Sequence, residues 1–315
     1  MNRVIGDGVL VIDKPSGLTS FEVIRRVKKW IKGEKIGHTG TLDPLASGVL
    51  PLCFNQATKL VPFLMEGDKE YEATMKLGVE TDTQDSTGKV IRETGNLQID
   101  EDVILLTFEG FEGKIKQLPP MFSALKYHGR PLYKLARQGI DLKREEREVE
   151  IKNLHVNGIN PPYISFTVCC SKGTYIRTLC ADIGIKLSCG AHLVKLTRLK
   201  VGPFALNDCV SLVEVEMGSK SGLIQEKIIS LADALPDLPP IVFGPDLSEK
   251  VSRGIKISAL DLKTVFLPTV KAGKKVKILS LQGKLLAVAE LLMDTPIQNC
   301  PDGEGVLKLN RVFVN

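Results

Sequence analysis

The chain is poor in the residues that would make it a metalloprotein, a disulfide scaffold or a membrane protein. Only four histidines occur in 315 residues, and none lies within helical spacing of another, so no metal site is visible. Seven cysteines (53, 169, 170, 180, 189, 209 and 300) form an odd set without a Cys-x-x-Cys pair, and several sit in apolar runs as buried thiols do. That pattern points to a reducing cytoplasm and away from disulfides or a cysteine zinc centre. No apolar run approaches the roughly eighteen residues that cross a bilayer, and the N-terminus has no apolar export core, so neither a membrane nor a secretory location is expected. Long internal repeats and low-complexity tracts are also lacking.

What is present is an ordinary globular composition. Hydrophobic residues make up 43% and charged residues 25% of the chain, which leaves room for one large domain with an ample core and a small second one. The formal net charge of +5 is a weak pointer to polyanions, but its distribution says more. Lys and Arg outnumber Asp and Glu nine to five over residues 1–60, six to one over 172–200 and eleven to six over 248–315, whereas 80–112 holds two against nine. Basic stretches set apart from an acidic one suggest a positive face for phosphates; plain solvated charge is the competing reading.

Local patterns place the elements. Gly8 to Ile12 reads as a short buried strand, stopped by Asp13-Lys14-Pro15-Ser16-Gly17. Thr19 opens a helix with a capping box to Glu22; its apolar stripe is Val23, Val27, Trp30 and Ile31, with Arg25, Arg26, Lys28, Lys29 and Lys32 outside it. Glu70 to Leu77 alternates, which puts Tyr71, Ala73, Met75 and Leu77 on the core face. Residues 117–148 are basic and aromatic and read as a loop–helix excursion. Residues 164–170 alternate as a strand, Ser171 to Thr174 turns, and Tyr175 to Leu187 forms a helix. Pro236, Pro239, Pro240 and Pro245 mark the best domain boundary, dividing 1–238 from 239–315. Beyond it, Val276 to Leu281 and Leu285 to Leu292 pair as a hairpin around Gln282-Gly283-Lys284.

The stretch Gly37-His38-Thr39-Gly40-Thr41-Leu42-Asp43-Pro44-Leu45-Ala46-Ser47-Gly48 carries the most information. It sets one carboxylate, Asp43, in a turn built from Gly37, Gly40, Pro44 and Gly48, and an apolar strand from Val49 to Phe54 follows directly. Glycines let backbone approach a ligand closely and the proline stiffens the turn, so the acid is held in place. A rigid, isolated carboxylate can serve as a nucleophile; an ordinary Asp-Pro turn is the other reading of the same residues.

This stretch resembles the catalytic motif of the TruB family of tRNA pseudouridine synthases, and the resemblance covers nearly the whole chain. Gly8-Val9-Leu10-Val11-Ile12-Asp13-Lys14-Pro15 with Gly17, Thr19 and Ser20 is similar to the family's N-terminal motif. Tyr71 with Leu77-Gly78 and Thr81-Asp82-Thr83-x-Asp85 is similar to its second. Ser171-Lys172-Gly173-Thr174-Tyr175-Ile176-Arg177 resembles the basic-residue motif, followed by Gly190-Ala191-His192-Leu193-x-x-Leu196-x-Arg198.

The resemblance implies an α/β (α+β) pseudouridine synthase fold with a mixed, largely antiparallel central sheet, plus a small C-terminal PUA-like β-barrel. It implies isomerisation of the T-loop uridine of tRNA (position 55 in standard tRNA numbering), in which N1–C1′ breaks and C5–C1′ forms, with no cofactor and no metal. Asp43 matches the catalytic Asp. Attack on C1′, attack on C6 and removal of the C2′ proton all stay open as its role, and each requires it ionised at the start. Arg177 meets that need through a bidentate ion pair that orients the carboxylate, a phosphate contact being the alternative.

Tyr71 matches the residue that stacks on the uracil and serves as a base toward C5, the stacking worth on the order of 1–3 kcal/mol; core packing is the rival reading. His38 corresponds to a residue that displaces the target base from its loop. Tyr175 hydrogen-bonds within the site and Leu196 lines the pocket and excludes water. Lys14, counted with the substrate-binding groups, supports the turn with Pro15 more than it touches substrate. Residues 117–148 resemble a thumb-like insertion gripping the T-arm, with Lys126, Arg130, Lys134 and Arg137 as phosphate contacts. The implied partner is tRNA, met by a cytoplasmic monomer. A tRNA-folding chaperone, or the same chemistry on another RNA, is the alternative; binding alone needs no carboxylate near an anionic polymer, which favours the enzyme.

Overall fold

A computed structural model of the chain describes residues 3–313 apart from 5, 33, 96, 296 and 298–302, which leaves Cys300 outside the described residues. The other six cysteines are free thiols. Its frame is a nine-stranded sheet whose main path runs Gly8–Lys14, Ser47–Phe54, Ala191–Val201, Lys69–Leu77, Tyr163–Cys170, Arg147–Asn160, Gly113–Gln117. The short strands Ile36–His38 and Phe204–Ala205 pair beside that path. Ser47–Phe54 and Ala191–Val201 run parallel, with Thr197 facing Ser47 and Arg198 facing Gly48; the other ladders of this sheet are antiparallel. The mixed, largely antiparallel sheet is the one expected.

Two cores explain why the strands read as they do. Leu10, Ile12, Leu50, Leu52 and Phe54 belong to a core shared with Tyr71, Ala73, Met75 and the helices Ser20–Trp30 and Ile176–Lys186. Val9, Val11, Val49 and Cys53 face a second core on the opposite side of the sheet. With both faces covered, Val9 to Ile12 and Val49 to Phe54 are apolar without alternation. Lys69–Leu77 has one buried face, so it alternates. The first strand does not stop at Ile12: it continues through Asp13 and Lys14 in register with Val49 and Gly48. Lys14 tolerates a fully buried strand position because its ammonium meets backbone carbonyls.

The helix Ser20–Trp30 starts on the expected box. Thr19 N–H donates to Glu22 Oε2 at 2.8 Å and Glu22 N–H to Thr19 Oγ1 at 3.1 Å, an arrangement worth about 1 kcal/mol. Between Gln117 and Arg147, neighbours in the same ladder, the chain leaves the sheet. The excursion holds a helix, Leu132–Ala136, as expected, and also a hairpin that was not: Lys126–Tyr127 pairs with Arg130–Pro131. His128 and Gly129 close it with φ of 46° and 80°, the double left-handed turn that short hairpins favour.

A second, five-stranded sheet begins at Pro240, in the order Pro240–Phe243, Lys275–Ser280, Leu285–Leu291, Gly305–Val312, Ile257–Ser258. It includes the expected hairpin and carries its own core around Ile241, Phe243, Ile278, Ala287 and Val306. Leu285, Val288 and Phe313 instead join Val9 and Leu60, so this sheet seats on the back of the large one. Among the described residues no helix is long and apolar enough to cross a membrane.

Candidate active site

The turn that carries Asp43 is clasped by the N-terminal segment. Gly17 N–H donates to Pro44 O at 2.7 Å, and Ser16 Oγ–H to Leu45 O at 2.8 Å. Ser20 Oγ accepts from Leu42 N–H at 2.9 Å and donates back to Leu42 O at 3.2 Å. Lys14 Nζ reaches Leu18 O at 2.6 Å, Pro15 O at 3.0 Å and Pro44 O at 3.5 Å. Burial pulls the Lys14 ammonium down to about 8, with the nearby Asp43 acting the other way. Where the turn enters its strand, Gly48 has φ of 99°, and a Cβ there would sit 2.3 Å from Arg198 O. Glycine is required for both reasons.

Asp43 is paired with Arg177. The guanidinium Nε donates to Asp43 Oδ2 at 2.8 Å; Arg177 is 4% exposed and the Asp43 side chain 37%. The pairing is not bidentate as expected. Nη1 donates instead to Thr83 O at 2.9 Å and Nη2 to Phe122 O at 2.8 Å, so one planar fork holds the carboxylate and two separate backbone segments. A second carboxylate, Asp85, places Oδ2 3.7 Å from the same Nε. Its Oδ1 accepts from Thr83 Oγ1 at 2.8 Å, Thr87 Oγ1 at 2.6 Å and Thr87 N–H at 2.9 Å. Two acids around one buried guanidinium offset its desolvation and leave Asp43 open to the cleft.

That cleft has a volume of about 690 Å³ and is lined by Asp43, Tyr71, Tyr175, Arg177, Leu196 and Arg198, among others. Tyr71 and Arg198 face each other across the antiparallel ladder and both line the cleft. Burial pushes the Tyr71 phenol up, and Arg198 only partly opposes it. Burial likewise pushes the Tyr175 phenol up. The Tyr175 backbone is gripped from both sides by the buried Gln117, whose Oε1 accepts from Tyr175 N–H at 3.0 Å and whose Nε2 donates to Tyr175 O at 3.3 Å. This clasp stands in for the side-chain cap that the helix Ile176–Lys186 lacks.

Five of the expected residues therefore meet in one cleft: Asp43, Tyr71, Tyr175, Arg177 and Leu196. Lys14 lies beneath the turn, fully buried, and does not line the cleft. His38 is also outside the lining; its Nδ1 is buried without a hydrogen-bond partner, and burial, then Arg198, hold its imidazole below the ordinary value. Lys126, Arg130, Lys134 and Arg137 are exposed on the excursion, with the Arg137 guanidinium 5.7 Å from the Tyr133 ring. Asp85 and Arg198 stood in quoted motifs without a role. Their signal was a charged residue inside an apolar or hydroxyl-rich run, which costs too much to bury unless it is paired. Among the described residues no group of three or more His, Cys, Asp and Glu is placed to hold a metal.

The chain matches known proteins along its length. Residues 28–176 match the model for the TruB family pseudouridylate synthase N-terminal domain, and 177–232 that for the tRNA pseudouridylate synthase B C-terminal domain. It is 43% identical over 307 residues to the tRNA pseudouridine synthase B of Geotalea uraniireducens, covering 98% of this chain and 97% of the relative. It is 41% identical to that of Burkholderia mallei over 315 residues, covering 100% and 99%. Among solved structures, it resembles an H/ACA RNP bound to a substrate RNA containing 2′-deoxyuridine, with a TM-score of 0.76 and 26% identity over 98% of this chain and 85% of that one. A Cbf5-Nop10-Gar1 complex gives a TM-score of 0.76 and 28% identity, over 98% and 85%.

Proposed function

The chain belongs to the TruB family of pseudouridylate synthases, isomerases that make pseudouridine in tRNA, and on that premise we propose that its target is the T-loop uridine at position 55, with Asp43 as the catalytic carboxylate. The observation that carries this reading is the Asp43–Arg177 pair on the cleft floor beside Tyr71. A guanidinium locked by two carbonyls holds its partner carboxylate aimed into the cleft, as every route through Asp43 requires. The N1–C1′ bond breaks, the uracil turns within the cleft, C5–C1′ forms, the C5 proton leaves and N1 gains one. Tyr71 supplies the platform for the everted base. Leu196 and the buried walls limit water, which would otherwise capture the opened sugar.

Exposed Lys126, Arg130, Lys134 and Arg137 take phosphates of the T-arm. Residues 1–238 act as the catalytic domain and 239–315 as a PUA-like RNA-binding domain, a division supported by the separate sheet and core that start at Pro240. On this reading the protein acts on tRNA as a cytoplasmic monomer. The reading is tested with Asp43→Asn and tRNA carrying tritium at uridine C5. Tritium release is expected to vanish while tRNA affinity stays within a few-fold; retained turnover overturns the assignment.

A further inference from the structure

Arg198 is 1% exposed, the largest fully buried side chain of the molecule's described residues, yet it lines the cleft. Among the described residues no carboxylate pairs with it. Nε donates to Val49 O at 2.8 Å and Nη2 to Gly40 O at 3.1 Å; Tyr71 is its partner across the ladder, lines the same cleft, and its phenol feels the guanidinium's charge. Gly40 stands three residues before Asp43, and Val49 lies in the strand that follows the turn, two residues past its start at Ser47. Burying an unpaired cation is expensive, and an apolar residue of similar volume would pack the same space at lower cost. Its value therefore lies in the three groups set around it.

We propose that Arg198 is the positioning residue that registers Tyr71 against Asp43, one planar guanidinium set between the phenol, the entry to the catalytic turn and the strand that leaves it. The proposal rests on the reading of Asp43 and Tyr71 given above. A rigid fork fixes directions as well as distances, which a lysine ammonium cannot reproduce. Misplacing a reacting group by about 1 Å can cost about 100-fold in rate. Arg177 orients the carboxylate; Arg198 sets where the base platform lies relative to it.

The test uses the full chain, saturating tRNA and single-turnover tritium release, with Arg198→Lys, Tyr71→Phe, their combination, and Asp43→Asn as reference. Arg198→Lys is expected to bind tRNA within threefold of the parent and to react about 100-fold more slowly. The combined variant is expected to fall less than tenfold below the slower single one, since both remove the same link. Multiplying effects, or an Arg198→Lys rate equal to the parent's, overturn the proposal. If Arg198→Lys does not fold, Arg198→Gln takes its place in the same comparison with Tyr71→Phe. A rate at least tenfold lower at unchanged affinity, falling less than tenfold further when Tyr71→Phe is added, supports the link, and a parental rate overturns it. Turnover by Asp43→Asn would instead sink the underlying reading, whatever Arg198 does.

Discussion

The two walls of the cleft are made in opposite ways. On one side the Asp43 turn is clasped by Lys14, Ser16, Gly17 and Ser20 and meets the parallel ladder at Gly48 and Arg198. On the other, the excursion between Gln117 and Arg147 is tied at its roots by Phe122 O to Arg177 and by Pro119 O to Arg144 Nη1 at 3.0 Å. Beyond these roots its hairpin and short helix carry exposed cations. Chemistry on one glycosidic bond needs a carboxylate fixed to within a fraction of an ångström. Gripping a folded RNA arm needs cations that can adapt to phosphates. One cleft serves both because the requirements are placed on different walls.

Breaking the rigid wall should produce the larger effect. Gly48→Ala adds a methyl 2.3 Å from Arg198 O at a φ of 99°, so backbone must shift in both strands of the parallel pair. The expected loss is about 3 kcal/mol of stability, read as a lower urea midpoint at unchanged slope. Activity at temperatures where the variant remains folded is expected to fall at least tenfold, because the displaced strand carries Arg198 and adjoins the Asp43 turn. A variant with parental midpoint and rate would mean the turn tolerates movement, and the contrast between the walls would fail.

Breaking the adaptable wall should act on binding and spare the chemical step. Replacing Lys126, Arg130 and Arg137 together by Ala removes three exposed cations. Affinity for tRNA is expected to fall about tenfold or more near 0.1 M salt, and the slope of log K against log salt to flatten by roughly 2 to 3. The single-turnover rate at saturating tRNA is expected to stay within about threefold of the parent. A rate that collapses while affinity holds would place these residues in catalysis, and the walls would no longer differ in kind.

The same division governs how much could be read in advance. The Asp43 turn, the Thr19–Glu22 box, the alternation through Tyr71 and the hairpin after Pro240 were legible because each is a local pattern. The motifs also placed Asp43, Tyr71 and Arg177 in one site. Non-local geometry was not legible. That Arg177 spends two donors on Thr83 O and Phe122 O, and only Nε on Asp43, depends on where two distant loops cross. That Lys14 continues a strand depends on three carbonyls brought to it by the next turns. The hairpin at His128 and Gly129 was masked by an exposed sequence with no alternation, since no core face exists there to impose one.

Lys14 offers the finest measure of how dry the rigid wall is. Its ammonium is fully buried and its pKa is lowered from 10.5 to about 8, chiefly by burial. Between those two values the unfolded chain keeps a proton that the folded chain has released, so this group's contribution to stability rises with pH across the window and is least favourable below it. Lys14→Met deletes the slope. The parent is therefore expected to gain on the variant in urea midpoint as pH goes from about 7.5 to about 9.5, with each midpoint measured at matched ionic strength. A difference that stays flat would mean water reaches the amine beneath Pro44. Asp43 would then sit on a wetted turn, and its fixed position would have to come from Arg177 alone.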